Sequence, residues 1–439
     1  MKKTLCLILA LAMIVTLAAA CGSTTNSGGT DAKQGDNSGA SVSGSEKAVK
    51  ISAFTWGFPP EKKAREEQAK KFNETHKNIQ VDLQVSPDYD RKLEAMISAN
   101  NGPDVYETSN DWYHIHTIKK RLEDLRPYIE KDQFDLSQYF DSAVAGYKLD
   151  DGTIEALPLC YDLFVMAYNK DLFDAKGVAY PTGDWTWEDC LAMAQKLTYG
   201  EGTEKVYGLS DQWSYQQIAG YLFGGEYMSP DYKEVRANQP LAIKGFQFYV
   251  DLYKKYKVMP DADAAKGMGG DQRFFAGKSA MIPCNNWDLD TFITTVGSNF
   301  KWDIVKMPTV RDTGKGVAWS IVEGFGMWAG GKNKDAAWEF MKWVTTDPEA
   351  QKIGSRAGIP TTKGSEPVFL GLDTSPVQLN IQSYVDSIAI AKPGPFGGIY
   401  AELSDEHGRT WDKINSQNMP IQQAFDEFAK NAAEIINRQ

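Results

Sequence analysis

The strongest constraint on the fold is the alternation that begins at residue 48. Val49, Ile51 and Ala53 alternate into a strand that ends at Thr55-Trp56-Gly57. Pro59, Pro60 and Glu61 read as a helix start, with Ala69 and Phe72 on its inner face. Ile79, Val81, Leu83 and Val85 alternate without a break, which predicts a second strand. Tyr89, Leu93, Met96 and Ile97 fall at i, i+4, i+7 and i+8, one side of a helix. Asn101-Gly102-Pro103 stops that helix before a third strand at 104–107. Strand, helix, strand, helix, strand predicts an α/β unit built on a largely parallel sheet.

The stretch 155–189 predicts a second unit. Leu157-Pro158-Leu159 reads as the end of the first, because proline lacks an amide hydrogen and does not continue a central strand. The run 163–168 is apolar, short and bounded by polar residues, so it reads as a buried strand entering something new. Thr186 then stands as an N-cap, with Asp189 as its capping-box partner, before Trp187, Leu191 and Ala194. A chain that leaves one unit and must return makes a hinge, and a hinge implies a cleft. Further on come a strand at 207–210, a helix at 241–257, a strand at 280–282 and a helix carrying Ala337, Phe340, Met341 and Val344. Asp347-Pro348 interrupts that helix. Ile421, Ala424, Phe425, Phe428, Ala432 and Ile435 mark the most amphipathic helix in the chain.

Ahead of all this, Lys2 and Lys3 precede an apolar run, 5–17, too short to span a bilayer. It ends in Leu17-Ala18-Ala19-Ala20-Cys21, which resembles a bacterial lipobox whose cysteine becomes the first, lipid-modified residue; the usual leucine falls one place early. Ala18-Ala19-Ala20 also fits an A-x-A cleavage site, so plain secretion is the alternative. The adjoining segment favours the lipoprotein: 22–45 is almost entirely Ser, Gly, Thr, Asn and Asp, a composition that tethers rather than folds. Acyl chains on Cys21 would anchor the chain to the membrane without a spanning helix. The net charge of −11 argues against nucleic acid or an anionic membrane surface as partner. Beyond the leader and Cys21, Cys160, Cys190 and Cys284 are odd in number and widely spaced, which predicts buried thiols rather than a disulfide.

Taken in order along the chain, several short motifs accumulate. They are Gly102-Pro103-Asp104-Val105, Leu122-Glu123-Asp124-Leu125 with Tyr128-Ile129, and Ala156-Leu157-Pro158. Next come Tyr168-Asn169-Lys170-Asp171-Leu172-Phe173 and Trp185-Thr186-Trp187-Glu188, then Gly277-Lys278-Ser279-Ala280-Met281 leading to Trp287. The last are Ala336-Ala337-Trp338-Glu339-Phe340 and, behind it, Gly358-Ile359-Pro360. With these pieces in this order over 48–439, the chain resembles the family 1 extracellular solute-binding proteins, the maltodextrin-binding group of ABC-transporter receptors. One departure is Lys120-Arg121, where members usually carry a glycine.

The resemblance implies a two-lobe periplasmic-binding-protein-like α/β fold (type II), with mostly parallel sheets flanked by helices and three hinge crossings near 157–162, 283–286 and 321–326. The expected organisation is a lipoprotein signal peptide at 1–20, a tether at 21–47, an N-terminal lobe of 48–158 plus 284–321, and a C-terminal lobe of 159–283 plus 322–439. It further implies a monomeric, extracytoplasmic receptor that binds a carbohydrate by hinge closure and hands it to ABC-transporter permease subunits. No cofactor and no metal are expected.

In open α/β sheets ligands sit beyond the carboxyl ends of strands. The segments expected there pair aromatic rings with amides or carboxylates: Trp56; Asn110, Asp111 and Trp112; Asp211 and Trp213; Trp287 and Asp288; and Trp319, Glu323 and Gly324. Tyr161 and Asp162 join them at the first crossing. A sugar offers an apolar C–H face for a ring and hydroxyls for charged acceptors, each such hydrogen bond contributing roughly 1.5–3 kcal/mol. Trp213 and Trp287 match family positions where aromatic residues meet the ligand. Trp185, Trp187, Trp302, Trp328, Trp338, Trp343 and Trp411 lie in periodic segments or at a helix start and are expected in the core.

Enzyme signatures are missing from the sequence. There is no G-x-S-x-G and no H-E-x-x-H, and four scattered histidines do not make a zinc site. The alternative from another class is a secreted glycosidase using cleft carboxylates such as Asp111 and Asp288. A sensory receptor that presents solute without transporting it would carry the same residues.

Overall fold

Strand β1 (Val49–Thr55) pairs in parallel with β2 (Ile79–Val85) over seven residues, and β3 (Val105–Ser109) pairs in parallel with β1 from its other side. The helices Pro59–Thr75 and Tyr89–Ser98 make the crossovers, as the alternation predicts. This computed structural model describes residues 47–438 apart from 58, 111–115, 118, 150, 212–213, 230–232, 312–315 and 393–399. Residues Lys47–Gln439 form a single compact unit.

Beyond β3 the expectation of mostly parallel sheets fails. Strand β4 (Ala156–Asn169) is fourteen residues long and buried throughout. Its first half lies beside β7 (Ala318–Met327) and β8 (Ile359–Pro360). Its second half lies between β5 (Met281–Asn285) and β6 (Trp302–Val305). All four ladders are antiparallel, as is β7 against β3. The short β9 (Ala391–Lys392) adds a parallel pair to β7. The physical reason is the hinge itself. One strand carries the chain out of the first sheet and a neighbouring strand carries it back, and adjacent outward and return strands are necessarily antiparallel.

Pro158 does not end β4. It sits inside the strand, opposite Gly324 of β7, and the register shifts between Pro158 and Cys160. A bulge there absorbs the missing amide hydrogen, which is how a proline is tolerated within a sheet. The Pro158 carbonyl still accepts from Thr361 Oγ1 at 3.0 Å.

The chain segments are also exchanged relative to the expected partition. Residues 281–285 and 302–305 pair with the far half of β4, whereas 323–327 pair with β3. The helix Lys334–Thr346 then packs Ala337, Phe340 and Met341 into the core of the first sheet, with Ile51, Phe72, Val105 and Phe325. The 283–286 segment therefore runs within the second sheet rather than between the two. After β7 the next passage follows β8, through 361–381, to the helix Gln382–Ser387, which packs on β4 and β6.

Local signals fare better. Thr186 and Asp189 form the capping box of the helix Trp187–Leu197. The helix Ile421–Ile436 buries the six residues expected of it. Asp347 ends one helix and accepts from Glu349 and Ala350 amides at the start of the next. The strand expected at 207–210 is reduced to a bridge from Tyr207 to Ser279. Of the Lys120-Arg121 pair expected to replace a glycine, Lys120 has φ 51°, the left-handed conformation that glycine favours. Cys160, Cys190 and Cys284 are free and buried. The seven tryptophans expected in the core are buried, Trp343 partly so.

Candidate functional site

Side chains alternate along a strand, so the β4–β7 ladder has two faces. Cys160 pairs with Glu323, Tyr161 with Val322, Asp162 with Ile321 and Leu163 with Ser320. One face therefore carries Cys160, Asp162 and Phe164 beside Glu323, Ile321 and Trp319. The other carries Tyr161, Val322 and Gly324.

The first face holds a polar cluster at the junction of the sheets. Trp56 Nε1 donates to Glu323 Oε1 at 3.0 Å. Glu323 Oε2 accepts from Arg65 Nη2 at 3.0 Å and from the Cys160 thiol at 3.2 Å. Arg65 also donates through Nε and Nη2 to Glu107 Oε1, at 2.9 and 2.7 Å. Asp162 lies diagonally across the ladder from Glu323 on the same face. Asn286 clamps Asp162: its Nδ2 donates to Oδ1 at 2.8 Å, while its own Oδ1 accepts from the Leu163 amide at 2.7 Å.

Asp162, Glu323, Glu107 and Arg65 are each at most 3% exposed. Burial pushes Asp162 up to about 7 against the hydrogen bonds from Asn286 and Glu323. Burial also raises Glu323 well above the usual carboxylate range, with the charges of Asp162, Glu107 and Glu61 adding to the shift and Arg65 opposing it. Burial thus favours the protonated form of both carboxyls relative to an exposed one. The Cys160 thiol is raised by burial and stays neutral.

The next rung of the same face is aromatic. Phe164 and Trp319 stack with centroids 5.5 Å apart, and Trp287 meets Phe164 edge-on at 5.3 Å. Trp56 sits edge-on to Tyr89 at 5.0 Å. Trp56 and Trp287 keep part of their surface exposed, whereas Trp319 is buried. The strip thus runs from Trp56 through Glu323 and Asp162 to the Phe164, Trp319 and Trp287 rings.

Of the expected site residues, Trp56, Asp162, Trp287, Trp319 and Glu323 meet on this strip. Tyr161 faces the other way: it is buried, its hydroxyl 2.5 Å from Ser142 Oγ and its ring against Phe140. Gly324 lies under the Tyr147 ring, where a Cβ would come within 2.8 Å of ring carbons. Tyr147 in turn donates to the carbonyls of Thr108 and Val322. Asn110 is pinned to Val322, amide to carbonyl at 3.0 Å and Oδ1 to amide at 2.9 Å. These three hold the crossing together from its far face. Asp211 accepts from the Tyr249 hydroxyl at 2.5 Å. Asp288 occupies the N-cap position of the helix Leu289–Val296 without a cap hydrogen bond and is held by Asn285 Nδ2 at 3.1 Å. Asp111, Trp112, Trp213 and Cys21 lie outside the described residues.

Arg65, Glu107 and Phe164 escape the sequence reading. One signal was present. Glu61, Arg65, Gln68 and Phe72 fall at i, i+4, i+7 and i+11 and so share the inner stripe of the helix Pro59–Thr75, where polar residues are unusual; all four are buried.

Two sheets joined through the long strand β4, with a polar and aromatic strip across the junction, define a type II periplasmic-binding-protein fold. The chain belongs to the bacterial extracellular solute-binding protein family, whose model matches residues 58–351. It is 26% identical over 281 residues to the maltotriose-binding protein of Pyrococcus abyssi, a match covering 63% of this chain and 58% of that one, less than two thirds of the relative's length. An ABC substrate-binding protein from Listeria monocytogenes, solved in complex with cycloalternan, matches with a TM-score of 0.76 and 26% identity, covering 89% of this chain and 98% of that one. The cyclic alpha-maltosyl-1,6-maltose binding protein from Arthrobacter globiformis matches with a TM-score of 0.74 over 89% of this chain and 100% of that one; at 18% identity the likeness is one of fold. Membership of an extracellular family implies a place outside the cytoplasm.

Proposed function

We propose that this chain is the solute receptor of an ABC importer and that its solute is a carbohydrate. The observation that carries the reading is the strip itself, on which partly exposed ring surface at Trp56 and Trp287 flanks a buried polar cluster at the junction of two sheets. The sugar-binding relatives support it. Solute bridging both halves lowers the free energy of the closed form relative to the open one, and a membrane permease reads the closed form. Bending is confined to the crossings, which places the hinge beside the contacts it must report.

Binding proceeds without chemistry. A glycosidase sets its two carboxyl groups about 5–9.5 Å apart across the scissile bond, whereas Asp162 and Glu323 are buried and held by Asn286, Trp56, Arg65 and Cys160. Asp111, one member of the carboxylate pair considered for that role, lies outside the described residues. The receptor works as a monomer outside the cytoplasm, tethered by residues 21–47 to a lipid-modified Cys21, with no cofactor or metal.

A thermal-shift screen over mono-, di- and oligosaccharides tests the solute class, because a ligand bound only by the native state raises the melting point. Maltotriose and cyclic glucans belong in the panel. Small-angle scattering on any hit checks closure: a smaller radius of gyration at saturation is expected. A panel without a single shift, or a bound sugar that leaves the dimensions unchanged, counts against the reading.

A further inference from the structure

The loop 285–288 leaves β5 and enters the helix Leu289–Val296, with Trp287 in its middle. Asn285 closes the loop on itself: its Oδ1 accepts from the Asp288 amide at 2.8 Å and its Nδ2 donates to Asp288 Oδ2 at 3.1 Å. Asn286 reaches the other way, to β4. Its Oδ1 accepts from the Leu163 amide at 2.7 Å, and its Nδ2 donates to Asp162 Oδ1 at 2.8 Å and to the Tyr161 carbonyl at 3.4 Å. Both amide hydrogens of this buried side chain are thus engaged within the protein, which leaves Asn286 no donor for a solute. Behind it lies a cavity that it lines with Ser355, Gly358 and Phe369, so on that side hydrogen bonds rather than close packing fix its orientation. Trp287 is less enclosed. Its ring keeps exposed surface and meets the Phe164 ring at 88°, with centroids 5.3 Å apart.

We propose that Asn286 is a positioning residue for Trp287: by tying the loop to Asp162 and Leu163 at the crossing, it holds the ring in place for a sugar face without touching the sugar. The bond to Leu163 bears directly on the ring, because the next residue along β4 is Phe164, against which Trp287 packs. One side chain therefore keeps the loop and the ring's packing partner in register. A ring fixed before binding loses less freedom on binding, so the bonds to β4 should appear as affinity although Asn286 makes no solute contact of its own. This consequence for affinity rests on the reading of Trp287 as a solute-facing ring; the positioning itself does not.

The first test uses the sugar-free protein and reads indole N–H resonances, that of Trp287 assigned by its loss in Trp287→Phe. The control is Trp185, which donates to the Lys306 carbonyl at 2.7 Å just beyond β6 and is assigned in the same way. Asn286→Ala should shift and broaden the Trp287 resonance and leave that of Trp185 in place. A Trp287 resonance that does not move overturns the proposal, and so does movement of both, which marks a general loosening. Should Asn286→Ala fail to fold, relaxation of the wild type decides: the Trp287 indole should be as ordered as that of buried Trp319, and a mobile ring overturns the proposal. The second test is a double-mutant cycle with maltotriose as the probe. Asn286→Ala should weaken binding about tenfold, and add nothing once Trp287 is replaced by Ala, because two residues acting through one contact are not additive. Losses that add, or full affinity in Asn286→Ala, overturn it. A wild type that does not bind maltotriose counts against that sugar as the solute, while the resonances of the sugar-free protein still decide the role of Asn286.

Discussion

Trp319 lies flat on Phe164 across the β4–β7 ladder, their planes 3° apart. The stack is a piece of core that also forms the floor for Trp287. Burial and contact with solute are thus divided among three rings, which makes them separable by mutation.

Trp287→Ala should weaken carbohydrate binding at least tenfold, with a modest loss of stability, because the ring is only partly buried. Phe164→Ala removes the shared floor at a fully buried position and should cost about 3–5 kcal/mol in stability. Titration calorimetry with the best sugar of the panel, together with urea unfolding, checks both. Equal binding by Trp287→Ala and the wild type would remove that ring from the site.

Arg65→Met leaves Glu107 and Glu323 buried without their cation. Breaking a buried ion pair by removing one partner costs about 3–5 kcal/mol, more than the pair itself contributes. The midpoint of urea unfolding should fall accordingly. Arg65→Lys should recover only part of the loss, since an ammonium does not reproduce the two-nitrogen contact with Glu107. A midpoint unchanged in Arg65→Met would mean that the carboxyls had already taken up protons.

His407 is buried and accepts from Trp411 Nε1 at 2.9 Å, and burial lowers it to about 3. Between that value and its ordinary 6.5 the folded chain binds fewer protons than the unfolded one. Its share of stability is therefore complete above about pH 6.5 and is lost as pH falls toward 3, at about 1.4 kcal/mol per pH unit. His407→Gln, which keeps an acceptor for Trp411, should flatten the acid limb of the stability curve measured by urea midpoints. An acid limb as steep as that of the wild type would place the sensitivity elsewhere.

Cys21→Ser should move the protein from the membrane pellet to the soluble extracytoplasmic fraction, with sugar binding unchanged. Equal membrane association of the mutant would argue against acylation at Cys21.

Much of the first sheet was legible because its signals are local. The unbroken alternation of 79–85, the apolar stripe of 89–97 and the Thr186–Asp189 capping box each lie within one element, and each forms as expected. Pro158 misled because a bulge can hide a missing amide inside a long strand. Tyr161 and Asp162, like Glu323 and Gly324, were expected at the cleft together, yet neighbours on a strand point to opposite faces. Strand period excludes one of each pair, and only the ladder with β7 decides which.

By itself the sequence determined the rhythm of strands and helices, their caps and the family, since these depend on residues a few positions apart or on motifs in order. The tertiary structure decided that β4 runs through both sheets with its first half beside β7, and that the charged inner stripe of the first helix lands on that ladder. Arg65 meets Glu107 and Glu323 across 42 and 258 residues of chain. Such contacts arise from how sheets share strands, and no local period encodes them.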